Sequence, residues 1–153
     1  MLTKNGRIII TPNGTSARKL KNSTGSSNNS MNSNTYNSLF NQLYLKVGNG
    51  TTAPTQDDYD IENEISEGIT ITPVSKSSAS TIEYDNPPSI LFVNTLITND
   101  LENDIEITEI TMWTTTNNLT PSSANQVMLT RTVLAEPFVL ESGKTYQLRV
   151  DIN

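Results

Sequence analysis

The chain has 153 residues, with 10 basic and 16 acidic side chains, a formal net charge of −6, and neither cysteine nor histidine. Those two absences exclude disulfide frameworks, thiolate metal sites and nucleophile–histidine catalytic centres. A hydrophobic fraction of 34%, against roughly 45–50% in average domains, leaves a thin core, or one completed by neighbouring subunits.

Charge is unevenly distributed along the chain. Every acid lies from Asp57 onward, while Lys4, Arg7, Arg18, Lys19, Lys21 and Lys46 precede it. Residues 1–10 join an Asn5-Gly6 turn signal to the β-branched triplet Ile8-Ile9-Ile10, and Asn13-Gly14 follows, a pattern for a small hairpin or an added edge strand. Residues 15–34 hold only Ala17, Leu20 and Met31 as apolar side chains, too few to offset the entropy of ordering them. Residues 1–34 therefore read as a basic, Ser/Asn-rich arm that stays loose alone and is ordered by a partner. Leu2, Ile8, Ile9 and Ile10 would anchor it by strand addition, and Arg7, Arg18, Lys19 and Lys21 would pair with acidic groups.

Residues 35–153 form the expected folded domain. Tyr36, Leu39, Phe40, Leu43 and Tyr44 share one face of a two-turn helix, with Asn34 or Thr35 as N-cap. In the competing reading the chain is extended by residues 44–47 and Gly48-Asn49-Gly50 ends the element as a loop. A short helix running into a strand satisfies both. The acid cluster Asp57, Asp58, Asp60, Glu62, Glu64 and Glu67 lacks EF-hand spacing, because Asn63 stands where that loop needs glycine. It reads as a solvated face, with no metal or cofactor expected.

Strand patterns follow at residues 69–74, 80–84, 90–97, 104–113, 126–134 and 145–152. Six short strands with loops between them suit an all-β, antiparallel β-sandwich of jelly-roll or immunoglobulin-like type. The last is the clearest: Tyr146, Leu148, Val150 and Ile152 alternate with Gln147, Arg149 and Asp151, so one face is buried. Between Ile107 and Ile110 the alternation slips. Either a β-bulge lies near Thr108-Glu109, or the strand is central and covered on both faces, and Glu109 needs a buried partner such as Arg131 or Arg149. Trp113 ends an apolar strand and is expected in the core rather than as a sugar platform.

The segment from Tyr44 through Gly48-Asn49-Gly50-Thr51-Thr52-Ala53-Pro54-Thr55 to Asp57-Asp58-Tyr59-Asp60-Ile61 resembles a block common in structural proteins of tailed bacteriophages. There a short strand runs into a Gly-x-Gly-Thr-Thr-x-Pro loop and an acidic turn. Phe92-Val93-Asn94-Thr95, residues 105–110, residues 129–134 and residues 142–150 resemble, in the same order, the later strands of that pattern. Thr111-Met112-Trp113 departs from it, since Gly-Leu or Gly-Phe often follows the Glu-Ile pair there, and the basic leader is not part of it.

The resemblance implies a non-enzymatic virion protein. It would be an auxiliary capsid or head-fibre protein attached through its arm, or else a tail or tail-fibre component. Its partners would be capsid, connector or tail proteins and further copies of itself, with a trimer implied by the resemblance alone. The virion would be its location, after assembly in the host cytoplasm. No apolar run reaches the roughly 20 residues of a membrane span. An acidic body and the lack of any aromatic residue before Tyr36 argue against nucleic acid. Paired carboxylates such as Asp58 with Asp60, or Glu106 with Glu109, arise by chance in an acidic chain and do not by themselves make a hydrolase. A host-glycan module using Tyr59, Tyr84 or Trp113 is the remaining alternative.

Overall fold

The computed structural model describes residues 1, 18–20, 22–26, 29–31, 43–76, 91–115 and 126–152. The strands are β1 (Arg18–Leu20), β2 (Asn29–Met31), β3 (Tyr44–Gly48), β4 (Ile69–Lys76), β5 (Leu91–Asn99), β6 (Ile105–Thr115), β7 (Gln126–Leu140) and β8 (Thr145–Ile152). All pairings are antiparallel: β1 with β2, a sheet in the order β3-β6-β7, and a sheet in the order β4-β5-β8. The described residues contain no helix, and none is long and apolar enough to cross a membrane.

Alternation in the sequence explains how the two larger sheets meet. Val47 of β3, Ile107 and Ile110 of β6 and Leu140 of β7 form one buried cluster with Ile97 of β5; Ile69 and Ile71 of β4 and Tyr146, Leu148 and Val150 of β8 pack against it. Each strand thus turns one face toward a shared core, and the other face of β8 carries the exposed Gln147, Arg149 and Asp151. Phe138 and Tyr146 meet edge-to-face across the core, ring centroids 5.1 Å apart. Asn99 ties the ends of the sheets together: its amide nitrogen donates to the carbonyls of Asn103 and Leu140, both at 2.8 Å, and its oxygen accepts from Leu101 at 2.9 Å.

Five of the six expected strands are present, with β8 spanning the expected residues. Residues 80–84 lie outside the described residues, as do residues 36–42 of the expected helix and the turn and strand signals of residues 2–10. At Tyr44 the extended reading holds. β7 runs six residues past its expected end, because the Ala135-Glu136-Pro137 interruption is absorbed as a bulge. Ile107 pairs with Phe138 and Glu109 with Val133, so residues 134–137 stand opposite Thr108 alone. Proline, which has no N–H to give to the ladder, is accommodated at such a point. Within the leader, β1 and β2 pair around a turn in which the Asn22 side-chain oxygen accepts hydrogen bonds from the Thr24 and Ser26 amides and the Thr24 hydroxyl. Gly25 adopts φ 76° there, close against the Tyr59 ring.

Candidate functional site

β6 is the central strand of its sheet, and a strap of residues 49–65 crosses the sheet face turned away from the shared core. Both readings of the slipped alternation in β6 hold together. The register breaks at Thr108, whose hydroxyl donates to the Gly50 carbonyl at 2.9 Å. Glu109 is fully buried under the strap. Its partner is Arg131 of β7, which stands opposite Thr111 and is 4% exposed.

Arg131 uses all three guanidinium nitrogens on three different carboxylates. Nε donates to Glu109 at 2.5 Å, one terminal nitrogen to Asp58 at 3.0 Å and the other to Glu62 at 2.9 Å. The planar fork of arginine suits this, whereas a lysine ammonium would act as a single point charge. Glu109 is further held by the amide of Glu62, at 3.1 and 3.2 Å to its two oxygens.

The local sequence of the strap supplies the remaining partners. The Thr52 amide and hydroxyl donate to Glu62 at 2.9 and 2.8 Å, and the Thr55 amide and hydroxyl to Asp58 at 2.9 and 2.6 Å. Gly48 and Gly50 are required by close approach rather than by conformation: a Cβ at Gly48 would overlap the Asn63 carbonyl oxygen, and one at Gly50 the Glu109 carboxylate. The strap continues the sheet briefly, the Asn49 amide donating to Asn63 at 3.0 Å and the Ile65 amide to Val47 at 2.9 Å. Beneath it Ile61, Trp113 and Met128 form a second apolar cluster, with Tyr44 packed against it. Trp113 is fully buried, its indole N–H donating to Thr111 at 2.7 Å and its ring covered by Lys46, which pairs with Glu64 at 2.9 Å.

The acid cluster is therefore only partly a solvated face: Asp58 and Glu62 belong to the arginine clamp. Burial pushes the Asp58 carboxyl up, but hydrogen bonds from Thr55 and Arg131 outweigh it and hold it below the usual carboxylate range. Glu62 is held low as well, chiefly by the two Thr52 hydrogen bonds, with Arg131 adding to them against desolvation. Asp60, mainly through desolvation, is raised. Among the described residues no group of three or more acids is disposed to hold a metal ion. A polar cavity of about 450 Å³ lies between the β1–β2 turn and the strap, lined by Ser23, Thr24, Thr55, Asp57, Tyr59 and Asp60 among others, with Tyr59 39% exposed.

Both depressed carboxyls make stability depend on pH. Their contribution is fully present above their unfolded values, near pH 4, and is lost as pH falls through the lower folded values. The thermal midpoint is expected to fall on acidification below about pH 4, and to fall less steeply in Asp58→Asn. Emission from Trp113, the single tryptophan, reports it. Identical acid limbs in the two proteins would remove the clamp as the cause.

Of the residues expected to bind a partner, Leu2, Arg7, Ile8, Ile9, Ile10 and Lys21 lie outside the described residues. Arg18 and Lys19 are on β1, paired through their backbone with Met31 and Ser30. Met1 is held: its amino group donates to the Arg131 carbonyl, and its carbonyl accepts from the Arg131 amide at 3.0 Å. The sequence names Arg131 as a partner of Glu109 but misses its role for Asp58 and Glu62. The available signal was that Arg131 is the sole basic residue between Lys76 and Lys144, so neighbouring carboxylates had one cation on which to converge. No protein-family model, curated protein or solved structure matches the chain.

Proposed function

We propose that this chain is a non-enzymatic structural protein of a tailed-phage virion, an auxiliary capsid or head-fibre protein attached through its N-terminal arm. The observation that carries the reading is the use made of the phage-like block. Its glycines, threonines and acids are spent on clamping a strap over a sheet, with Asp58 and Glu62 bonded to Arg131, Thr55 and Thr52. That is an architectural use of carboxylates, suited to a rigid subunit in an assembly. The fold that goes with it is a β-sandwich of jelly-roll or immunoglobulin-like type, with a short helix ahead of β3 and the leader as an arm. Its partners are capsid, connector or tail proteins and other copies, as a trimer, and its location is the virion.

Purified protein mixed with empty shells and, separately, with tails is expected to sediment with the shells. A variant lacking residues 1–21 is expected to stay in the supernatant. Undiminished incorporation of that variant would remove the arm as the attachment device, and sedimentation with tails alone would move the protein to the tail. Exposed Tyr59 beside a polar cavity favours one second reading, contact with a host glycan. Binding on a glycan array that is lost in Tyr59→Ala would establish it.

A further inference from the structure

β7 is the outer strand of the β3-β6-β7 sheet, and an outer strand offers main-chain groups to any chain that reaches it. At Arg131 that edge already carries a visitor. Met1 and Arg131 exchange two main-chain hydrogen bonds, the pattern of a hydrogen-bonded antiparallel pair. Met1 is 53% exposed and both hydrogen bonds are to its main chain, so the contact rests on the backbone, and nothing in it distinguishes one copy's leader from another's.

We infer that the β7 edge at Arg131 is an acceptor for the first residue of a second copy of this chain, so that copies assemble by exchanging leaders. The inference rests on the reading of the leader as an attachment device and names its partner and its seat. Three observations support a second copy as occupant. Residues 2–17 separate Met1 from β1, and sixteen residues of extended chain reach about 50 Å, well beyond the roughly 26 Å set by twice the radius of gyration of a 100-residue domain. Acids surround the seat: Asp58 and Glu62 both flank Arg131, and Asp58 attracts the Met1 amino group, although burial, the larger influence, and Arg131 hold that amine below its usual range. A leader segment with no acid and with Lys4 and Arg7 as its bases fits it, and every copy carries both halves. The same two hydrogen bonds form within one copy or between two, so exchange loses no contact and is decided by concentration and geometry.

The absence of cysteine makes the test clean. One full-length copy carries Leu2→Cys. A second, of different mass, carries Thr130→Cys, the position opposite residue 2 if the Met1–Arg131 pair continues antiparallel. The two are mixed, oxidised at low and high protein concentration, and resolved by mass without reductant. Heterodimers are expected in excess of the statistical share, rising with concentration and disappearing with reductant. A statistical mixture, or no heterodimer at any concentration, overturns the exchange, whatever the shell sedimentation shows. As a second measurement, light scattering of the cysteine-free protein is expected to show an oligomer that is lost when residues 1–17 are removed while Trp113 emission is kept. An oligomer that persists without those residues overturns the inference as well.

Discussion

Replacing Arg131 by alanine is expected to lower stability by about 3–5 kcal/mol, because it leaves a buried carboxylate without its compensating charge. Glu109 is fully buried and would retain the Glu62 amide, and at longer range that of Asn63, as donors. Two amides do not match a guanidinium in charge. Asp58 and Glu62 would lose one partner each but keep their threonine caps, and both are partly open to water, so most of the loss belongs to Glu109. Urea unfolding followed by Trp113 emission measures it, with a fall in Tm of about 10 °C or more alongside. Arg131→Lys should lie between, since one ammonium cannot reach three carboxylates in the plane of the fork. A loss under about 1 kcal/mol for Arg131→Ala, the range of a surface ion pair, would mean that the pair is solvated and the clamp does not hold the strap.

A double replacement separates charge compensation from packing. Arg131→Met with Glu109→Leu removes both members of the buried pair and leaves apolar groups of similar size, an exchange that is often neutral or better. It should recover much of the single-variant loss. The recovery cannot be complete, because Asp58 and Glu62 still lose their bonds to Arg131 and the strap then depends on Ile61, the Thr108–Gly50 and Lys46–Glu64 bonds and the short bridge at Gly48 and Glu64. The same residue also seats Met1 through its backbone, so strap and leader meet at one position in β7. The leader exchange inferred above therefore takes place beside a rigid element, where a main-chain seat is held in register by its own side chain.

What could be read from the sequence follows the physics of each signal. β8 was legible to the residue because its alternation is unbroken, β4 and β6 because β-branched residues dominate them, and β5 because β-branched residues join Leu and Phe in a short apolar run. The end of β7 was not legible, since Ala135-Glu136-Pro137 looks like a stop when taken locally; only pairing with β6 shows that the ladder resumes at Phe138. At Glu109 the pattern raised bulge and buried pair as rivals, and the sheet uses both. The break in register at Thr108 re-aims Glu109, and the re-aimed carboxylate then needs an arginine. The strap was read as turn plus solvated acids because the contacts that define it link residues about fifty to seventy positions apart, such as Glu62 with Glu109 and Arg131. Local periodicity carries no record of such pairs. Gly48 and Gly50 were visible as a motif, but their reason lies in what presses on them.

That reason gives the second large effect. Gly48→Ala is expected to cost about 3 kcal/mol, at the upper end of the range for overpacking, although its backbone conformation accepts any residue. The new methyl would overlap the Asn63 carbonyl oxygen, which belongs to the strap's backbone and accepts the Asn49 amide, so neither atom can yield without opening the bridge. Gly50→Ala should behave alike for a different cause: its methyl would press on the Glu109 carboxylate and lie 2.6 Å from the Glu62 Cβ, so relief requires displacing the clamp. Gly143 is the control. It sits at φ 65° with nothing within 4 Å of an added Cβ, so alanine there meets only the left-handed backbone penalty of about 1–2 kcal/mol. Strap lifting and turn strain also differ in signature. The first should red-shift Trp113 emission in the native baseline, because Ile61 covers that ring's cluster from above, whereas the second should leave the emission unchanged. Should Gly48→Ala prove no costlier than Gly143→Ala, with Trp113 emission unmoved, the strap is not pressed onto the sheet, and Glu109 lies in water rather than beneath it.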